Sequence, residues 1–394
     1  MRASNILQRE LRVGCEFLHA KRWDAVWRAV EGLLRGGQLW LTGLGRSLPG
    51  ACADKHRIKA ADRLAGNVGL QMALPRLYAA LTRFLLRRIE RPVILIDWTG
   101  SAPCFYILCA KLCFRGRAVS IFSRTFPTKR KCSPRAEREF LDELVRVVPA
   151  SCKPILVTDA GFHLEWFDAV QQRGWDFIGR VRGKLTANIK DSWVPLEKFH
   201  ALAKNKPKNL GKLLLRHKDP RELRLVLSAQ RKLKGRKQFR FNGKPRTGKR
   251  GTRKAAREPW LLATSLSDSA RVVVEAYAMR MQIEQTFRDL KNHRYGWSLE
   301  DMRCKSPTRA DVLLLVAAFA AVVMHMVGLA AFEAKLDRGL QANTQRRRRV
   351  FSTFFLAKLI FRQYLDSFLS TAGLRAALAN VRRQVASVAL AEDG

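Results

Sequence analysis

The chain has 394 residues, with 74 Lys and Arg against 33 Asp and Glu, a formal net charge of +41 and a pI near 11.0. Hydrophobic residues make up 47% of it against only 25 Gly and 14 Pro, which excludes a collagen-like or disordered chain and leaves ample material for a buried core. So large a positive surplus calls for a polyanion, nucleic acid first and an anionic membrane surface second, and it excludes a small-molecule enzyme without such a partner.

Length suggests roughly two to three domains. Met1 to Arg28 carries charge throughout, without an apolar h-region or a small-residue cleavage site, so no export signal is expected. Residues 1–91 read as a helical N-terminal DNA-binding domain with 17 basic and 7 acidic residues. Val26, Val30, Leu33 and Leu34 recur at helical spacing, and a second helix is expected over Ala73 to Glu90, with a Gly-rich stretch between them. Residues 92–182 change character. Val93 to Ile96 is an apolar strand that ends at Asp97. Phe105 to Phe114 and Arg117 to Phe122 form a hairpin around Gly116. A helix over Pro134 to Val148, a strand over Pro154 to Thr158 ending at Asp159, a helix over Leu164 to Arg173 and a strand over Asp176 to Arg180 follow. That order predicts a mixed α/β sheet, with three antiparallel strands first and helical crossovers after.

Residues 183–258 form a basic insertion with 24 basic and 5 acidic residues, with short strands at Leu213 to Leu215 and Arg221 to Leu227. Its densest part, Arg231 to Lys254, suits a phosphate backbone. A strand resumes at Trp260 to Ser265, and one long helix is expected from Asp268 to Lys291. Val312 to Phe332 is uncharged over a bilayer-spanning length, and is read as the buried core helix of a soluble domain. Residues 333–394 form a helical C-terminal region, with the Arg346 to Arg349 run and a helix over Phe351 to Phe368, a candidate for dimerisation and DNA contact. One mixed α/β core is thus expected over 92–182 and 259–332. Eight cysteines (15, 52, 104, 109, 113, 132, 152 and 304) include no C-x-x-C pair and read as free thiols of a reducing cytosol.

In so basic a chain, the acids that close apolar strands stand out. Asp97 and Asp159 occupy matching places, and two carboxylates at one sheet edge suit a hard divalent cation. On a continuous helix of 100° per residue, Tyr277, Arg280, Glu284 and Lys291 share a stripe about 60° wide, beside an apolar arc of Met279, Ile283, Phe287 and Leu290. Surface ion pairs alone would not need the tyrosine or the long-range alignment.

The pattern Tyr277-x2-Arg280-x3-Glu284-x6-Lys291 resembles the signature of the bacterial insertion-sequence-four family of DDE transposases. The run from Arg280 to Lys291, Asp97-Trp98 after its strand and Thr158-Asp159-Ala160-Gly161-Phe162 resemble the branch of the tetracycline-resistance transposon ten. The resemblance implies an RNase H-like mixed sheet with a basic β-rich insertion, flanked by helical N- and C-terminal regions. It implies a cut-and-paste transposase in which Asp97, Asp159 and Glu284 bind two Mg²⁺ ions, with Mn²⁺ as a substitute, and catalyse phosphoryl transfer. The expected steps are nicking of the transposon ends, hairpin formation and opening, and joining of 3′-hydroxyl ends to target DNA. Tyr277, Arg280 and Lys291 would hold a backbone phosphate, Arg180 another, and Trp260 an unstacked base. His163 and His325 read as structural and Trp98 as a packing residue. The expected partners are double-stranded DNA, as terminal inverted repeats and target, and a second copy of the chain on DNA, with no membrane and a cytoplasmic, nucleoid-associated location. The competing readings are an RNase H-like nuclease or resolvase without strand transfer, and an inactive DNA-binding regulator derived from a transposase.

Overall fold

A computed structural model describes residues 1–100, 105–114, 116–229, 258–294, 296–304, 306–342, 344 and 348–390. The Arg231 to Lys254 stretch, Cys104, Arg346 and Arg347 lie outside the described residues. The chain divides into two compact units. Unit 1 comprises Met1–Pro154 and Met281–Glu392, and unit 2 comprises Ile155–Arg280.

Unit 1 opens with five helices, α1 (Arg2–Arg12), α2 (Ala20–Leu34), α3 (Leu41–Arg46), α4 (Asp54–Ala65) and α5 (Val68–Leu85). The stretch read as a Gly-rich break therefore holds two helices. The helix expected over Ala73 to Glu90 starts and stops earlier. Asn67 caps it by accepting from the Leu70 amide at 2.9 Å, and the chain leaves it before Arg88, which has φ +68°. Three antiparallel strands follow, β1 (Val93–Gly100), β2 (Phe105–Phe114) and β3 (Arg117–Pro127), with α6 (Pro134–Val147) after them. The hairpin turns where expected, at Gly116 with φ +82°, a conformation that a side chain would strain.

The last part of unit 1 holds α9 (Met281–Lys291), α10 (Pro307–Glu333), α11 (Asp337–Leu340), α12 (Thr353–Arg362) and α13 (Thr371–Ala386). Helix α10 is the centre of the unit. Every residue from Ala310 to Ala331 is buried, so its apolar surface is covered by protein on all sides. It packs against α2, α5, α12, α13 and β3. Phe319 stacks on Trp27 with ring centroids 5.5 Å apart, and Gly328 passes so close to Thr353 that a Cβ would fall 2.0 Å from its carbonyl oxygen. The helix expected over Phe351 to Phe368 is interrupted where Tyr364 turns left-handed, at φ +56°.

Unit 2 contains the crossover part of the sheet. Strand β4 (Ile155–Thr158) runs parallel to β5 (Asp176–Arg180), joined by α7 (Leu164–Gln171). Phe167 of α7 stacks on Phe177 at 4.4 Å. Beyond β5 the order continues antiparallel through β10 (Trp260–Thr264), β9 (Arg221–Ser228), β8 (Lys208–Leu215), β6 (Thr186–Ile189) and β7 (Ser192–Pro195), and α8 (Ala270–Ala278) packs on this sheet. The insertion is β-rich as expected, and its β6–β7 hairpin adds a pair of strands that the sequence reading lacked.

Two local expectations are corrected. Strand β1 does not end at Asp97, since Trp98 and Thr99 stay paired with Leu108 and Ile107, so this acid sits inside a strand while Asp159 directly follows one. The helix expected from Asp268 to Lys291 is two helices. The amides of Met279 and Arg280 bond three residues back, to Ala276 and Tyr277, and this tighter turn ends the i to i−4 ladder. Uniform 100° steps therefore cannot be carried from Tyr277 to Glu284.

Candidate active site

Unit 2 gathers an aromatic and cationic cluster. Trp260 opens β10 opposite Ser228, and its ring meets that of Tyr277 edge-on, with centroids 4.9 Å apart. Tyr277 is buried near the end of α8, with the Arg280 guanidinium 5.9 Å from its ring centroid. Burial raises the tyrosine pKa, against the pull of Arg280 and Arg180. Asp159 is near enough to push in the same direction as burial. The Asp159 Oδ1 accepts from the Gly161 amide at 2.8 Å, which fixes the carboxylate at the mouth of β4. Arg180, on β5 beside Leu262, donates to Glu258 Oε2 at 3.0 Å, while its buried Nε has no hydrogen-bond partner among the described residues. Glu258 also lies 3.8 Å from Arg182 and 4.0 Å from His200. Sequence reasoning missed this acid, because nothing local to it announces a partner 78 residues away.

Unit 1 carries Asp97, Glu284 and Lys291. Asp97 is half-buried on β1, directly across from Cys109 of β2, and Glu284 is exposed on α9. Ile283, Phe287 and Leu290 of the expected apolar arc bury the other side of that helix, whereas Met279 lies before it and is half-buried, and α9 packs on β1, β2 and β3. Two polar contacts fix its seat. The Ala118 amide donates to Thr286 Oγ1 at 2.8 Å, and Arg117 Nε pairs with Asp289 at 2.6 Å. Lys291 follows Glu284 by two helical turns and pairs with Glu300 at 3.2 Å. Trp98 packs on Phe126 at 5.5 Å and donates to Glu137, in keeping with a packing role. His325 is buried in α10 against Thr353, and His163 is an exposed residue at the start of α7.

Lys111 was also missed. It lies on β2 two residues from Cys109, hence on the same sheet face as Asp97. It is fully buried, and its Nζ lies 4.2 Å from the Phe287 ring centroid without a hydrogen-bond partner among the described residues. Its signal was present in the sequence as the one charge in the strand Phe105–Phe114. None of the seven described cysteines forms a disulfide with another described residue.

A family profile described as the transposase DDE domain matches residues 126–323, just over half of the chain. The chain belongs to the transposase DDE domain family. The match spans Asp159, Arg180, Trp260, Tyr277, Arg280, Glu284 and Lys291 and begins after Asp97. The mixed α/β architecture is that of an RNase H-like transposase domain, and membership makes the chain a DNA-acting transposase. No curated protein sequence matches the chain.

DDE transposases generally use divalent metals, and such ions prefer hard oxygen donors. Among the described residues no group of three or more His, Cys, Asp or Glu side chains forms a ready-made metal cage.

Proposed function

We propose that this is a cut-and-paste transposase of the insertion-sequence-four kind, in the branch of the tetracycline-resistance transposon ten. In this reading it nicks the ends of its element, forms and reopens a DNA hairpin, and joins the 3′-hydroxyl ends to target DNA. The observation that carries the reading is the Tyr277-x2-Arg280-x3-Glu284-x6-Lys291 pattern, which lies whole within the residues matched to the DDE domain.

Asp97, Asp159 and Glu284 are the proposed catalytic triad and the ligands of two Mg²⁺ ions, with Mn²⁺ as a substitute. When bound, such ions polarise the scissile phosphate and lower the pKa of the attacking oxygen. The carboxylates orient the reacting groups and need no Ser or Cys nucleophile beside them. Tyr277, Arg280 and Lys291 hold a backbone phosphate, and Arg180, once drawn from Glu258, holds a second. Hairpin closure strains the duplex end and drives a base from the stack. Trp260, backed edge-on by Tyr277, gives that base an aromatic face worth about 1–3 kcal/mol. The active species on DNA is a homodimer that pairs two terminal inverted repeats, working in the cytoplasm on the nucleoid.

Incubation of the full chain with Mg²⁺, DNA bearing the element's own ends and a supercoiled target tests the reading. Products joined to target are expected, with hairpin ends as intermediates. Cut but unjoined fragments would favour an RNase H-like nuclease, and binding without cleavage a DNA-binding regulator.

A further inference from the structure

A second aromatic recess, wholly within unit 1, is unused by the site described above. It has a volume of about 250 Å³ and opens between the tip of the β2–β3 hairpin, the end of α10, the start of α12 and α13. That is below the ~300–1,000 Å³ of most small-molecule pockets, and it suits a single ring system. Phe114, Phe332 and Phe351 supply its apolar surface. The Arg349 guanidinium lies 3.3 Å from the Phe332 ring centroid, so a flat cationic face tops a flat aromatic one. Arg349 also ends the basic Arg346 to Arg349 run.

The polar wall comes from α13. Asn380 and Gln384 stand one turn apart, and the Gln384 Nε2 donates to Asn380 Oδ1 at 2.9 Å. That bond engages one amide's NH₂ and the other's carbonyl. The pair then presents the NH₂ of Asn380 and the carbonyl of Gln384, a donor beside an acceptor. Adjacent donor and acceptor groups next to stacking surfaces are what read the edge of an unstacked base. A second guanidinium, Arg117, lines the recess while paired with Asp289.

We propose that this recess binds one extrahelical nucleobase of the DNA substrate, stacked against Arg349 and Phe351 and read by Asn380 and Gln384. It is a base site separate from Trp260, and it rests on the reading of the chain as a DNA-acting transposase. Arg349 carries the adjoining phosphate.

The test uses the full chain and fluorescein-labelled duplexes that are fully paired or carry one unpaired thymine. The unpaired thymine should tighten binding by about five-fold or more, the lower end of what one stacked base supplies. Phe351→Ala and Asn380→Ala should each remove that preference and leave paired-duplex affinity unchanged, which also shows that the variants are folded. Replacing the unpaired thymine with 5-iodouracil should give a photocrosslink in the peptide containing Phe351. Binding of both duplexes without preference, a preference that survives both substitutions, or a crosslink at Trp260 instead would overturn the recess as a base site and leave the transposase reading standing. Failure to bind either duplex would overturn the DNA reading itself.

Discussion

Unit 1 buries Lys111, Glu137, Asp311 and His325, with several hydroxyl side chains, in a largely apolar interior built around α10. Unit 2 keeps its charges at or near the surface in pairs, Arg216 with Glu165 at 2.5 Å, Arg221 with Asp168 at 2.7 Å, and Arg221 with Asp219. Exposed pairs of this kind contribute little, because solvent screens them, whereas a buried charge or its neutralisation can move stability by several kcal/mol. Stability that depends on pH should therefore reside in unit 1, and substitution of the half-buried Trp260 in the aromatic cluster of unit 2 should change DNA handling with little change in folding. The proposed catalytic acids cross that division, since Asp97 and Glu284 belong to unit 1 and Asp159 to unit 2.

The largest effect should come from those acids. Asp97→Asn, Asp159→Asn and Glu284→Gln should each lower end cleavage by roughly three orders of magnitude or more, the scale on which a lost transition-state electrostatic group acts. DNA-end affinity, measured by gel shift, should persist, because backbone contacts by basic residues set it. Near-normal strand transfer by any one variant would remove that acid from the triad. If Asp159→Asn alone were tolerated, the chemistry would belong to unit 1 by itself.

Next comes acidity. Asp311 accepts from the Thr125 amide at 2.8 Å and lies 3.4 Å from Arg124, yet burial pushes its carboxyl up to about 7. His325 is pushed down to about 3 by burial and by the nearby Arg117. The folded chain binds the Asp311 proton more tightly than the unfolded chain does, so this contribution is full below the ordinary carboxylate pKa and is lost as pH rises through about 7. His325 works the other way. Its contribution is present above the ordinary imidazole pKa and is lost as pH falls from there toward about 3. Each shift is worth on the order of 4 kcal/mol, and the two oppose each other in mildly acidic solution. Urea unfolding at about pH 5 and about pH 7 should then show little net slope from this pair in the parent chain. Asp311→Asn should lose stability on acidification, and His325→Gln should gain it. Equal slopes in all three proteins would place the acid sensitivity outside the α10 core.

The elements of both units were legible where pattern and punctuation agreed. Strand β2 has the limits read from its apolar run, and β5 likewise, because each is bounded by turn residues and filled with apolar ones. The β6–β7 hairpin was not legible. Its two-residue turn is Lys190 and Asp191, both left-handed at φ +49° and +62°, without the Gly or Asn that announces such a turn. The break after Ala278 has no Gly or Pro to mark it either. Tyr277, Arg280, Glu284 and Lys291 were singled out by a one-helix stripe that the break after Ala278 interrupts, while Glu258 under Arg180 and Asp289 under Arg117 were not singled out at all. Those pairs join residues 78 and 172 positions apart, and only the packed sheet brings them together.

A smaller effect is expected at Trp260. Trp260→Ala removes the aromatic face that Tyr277 backs at 4.9 Å, and should slow hairpin formation by about five- to a hundred-fold while sparing first-strand nicking. Gel analysis of end cleavage separates the two products. The ring is only half-buried, so the melting temperature should change little. Equal loss of nicking and hairpin would show that Trp260 supports the fold of unit 2, and the separation of substrate handling from stability would fail there.

The smallest expected effect is at Lys111, where the rule for unit 1 is most exposed to failure. Burial pushes its pKa down, against the pull of Cys109, Asp97 and Asp289, and its nitrogen has the Phe287 ring as a neighbour rather than an acceptor. A cation over a ring returns about 0.5–2 kcal/mol, less than the cost of leaving an ammonium without a hydrogen bond in the interior. Methionine has similar length and no charge, so Lys111→Met should raise stability by about 1–2 kcal/mol, read as a higher urea midpoint at unchanged slope. Lys111→Ala should lower it by about 2–3 kcal/mol, because the emptied space stays empty. A loss of stability in the methionine variant would mean that the ammonium, through Asp97 and Asp289, contributes more than it costs. The sheet face that carries Asp97 would then be held by internal charge.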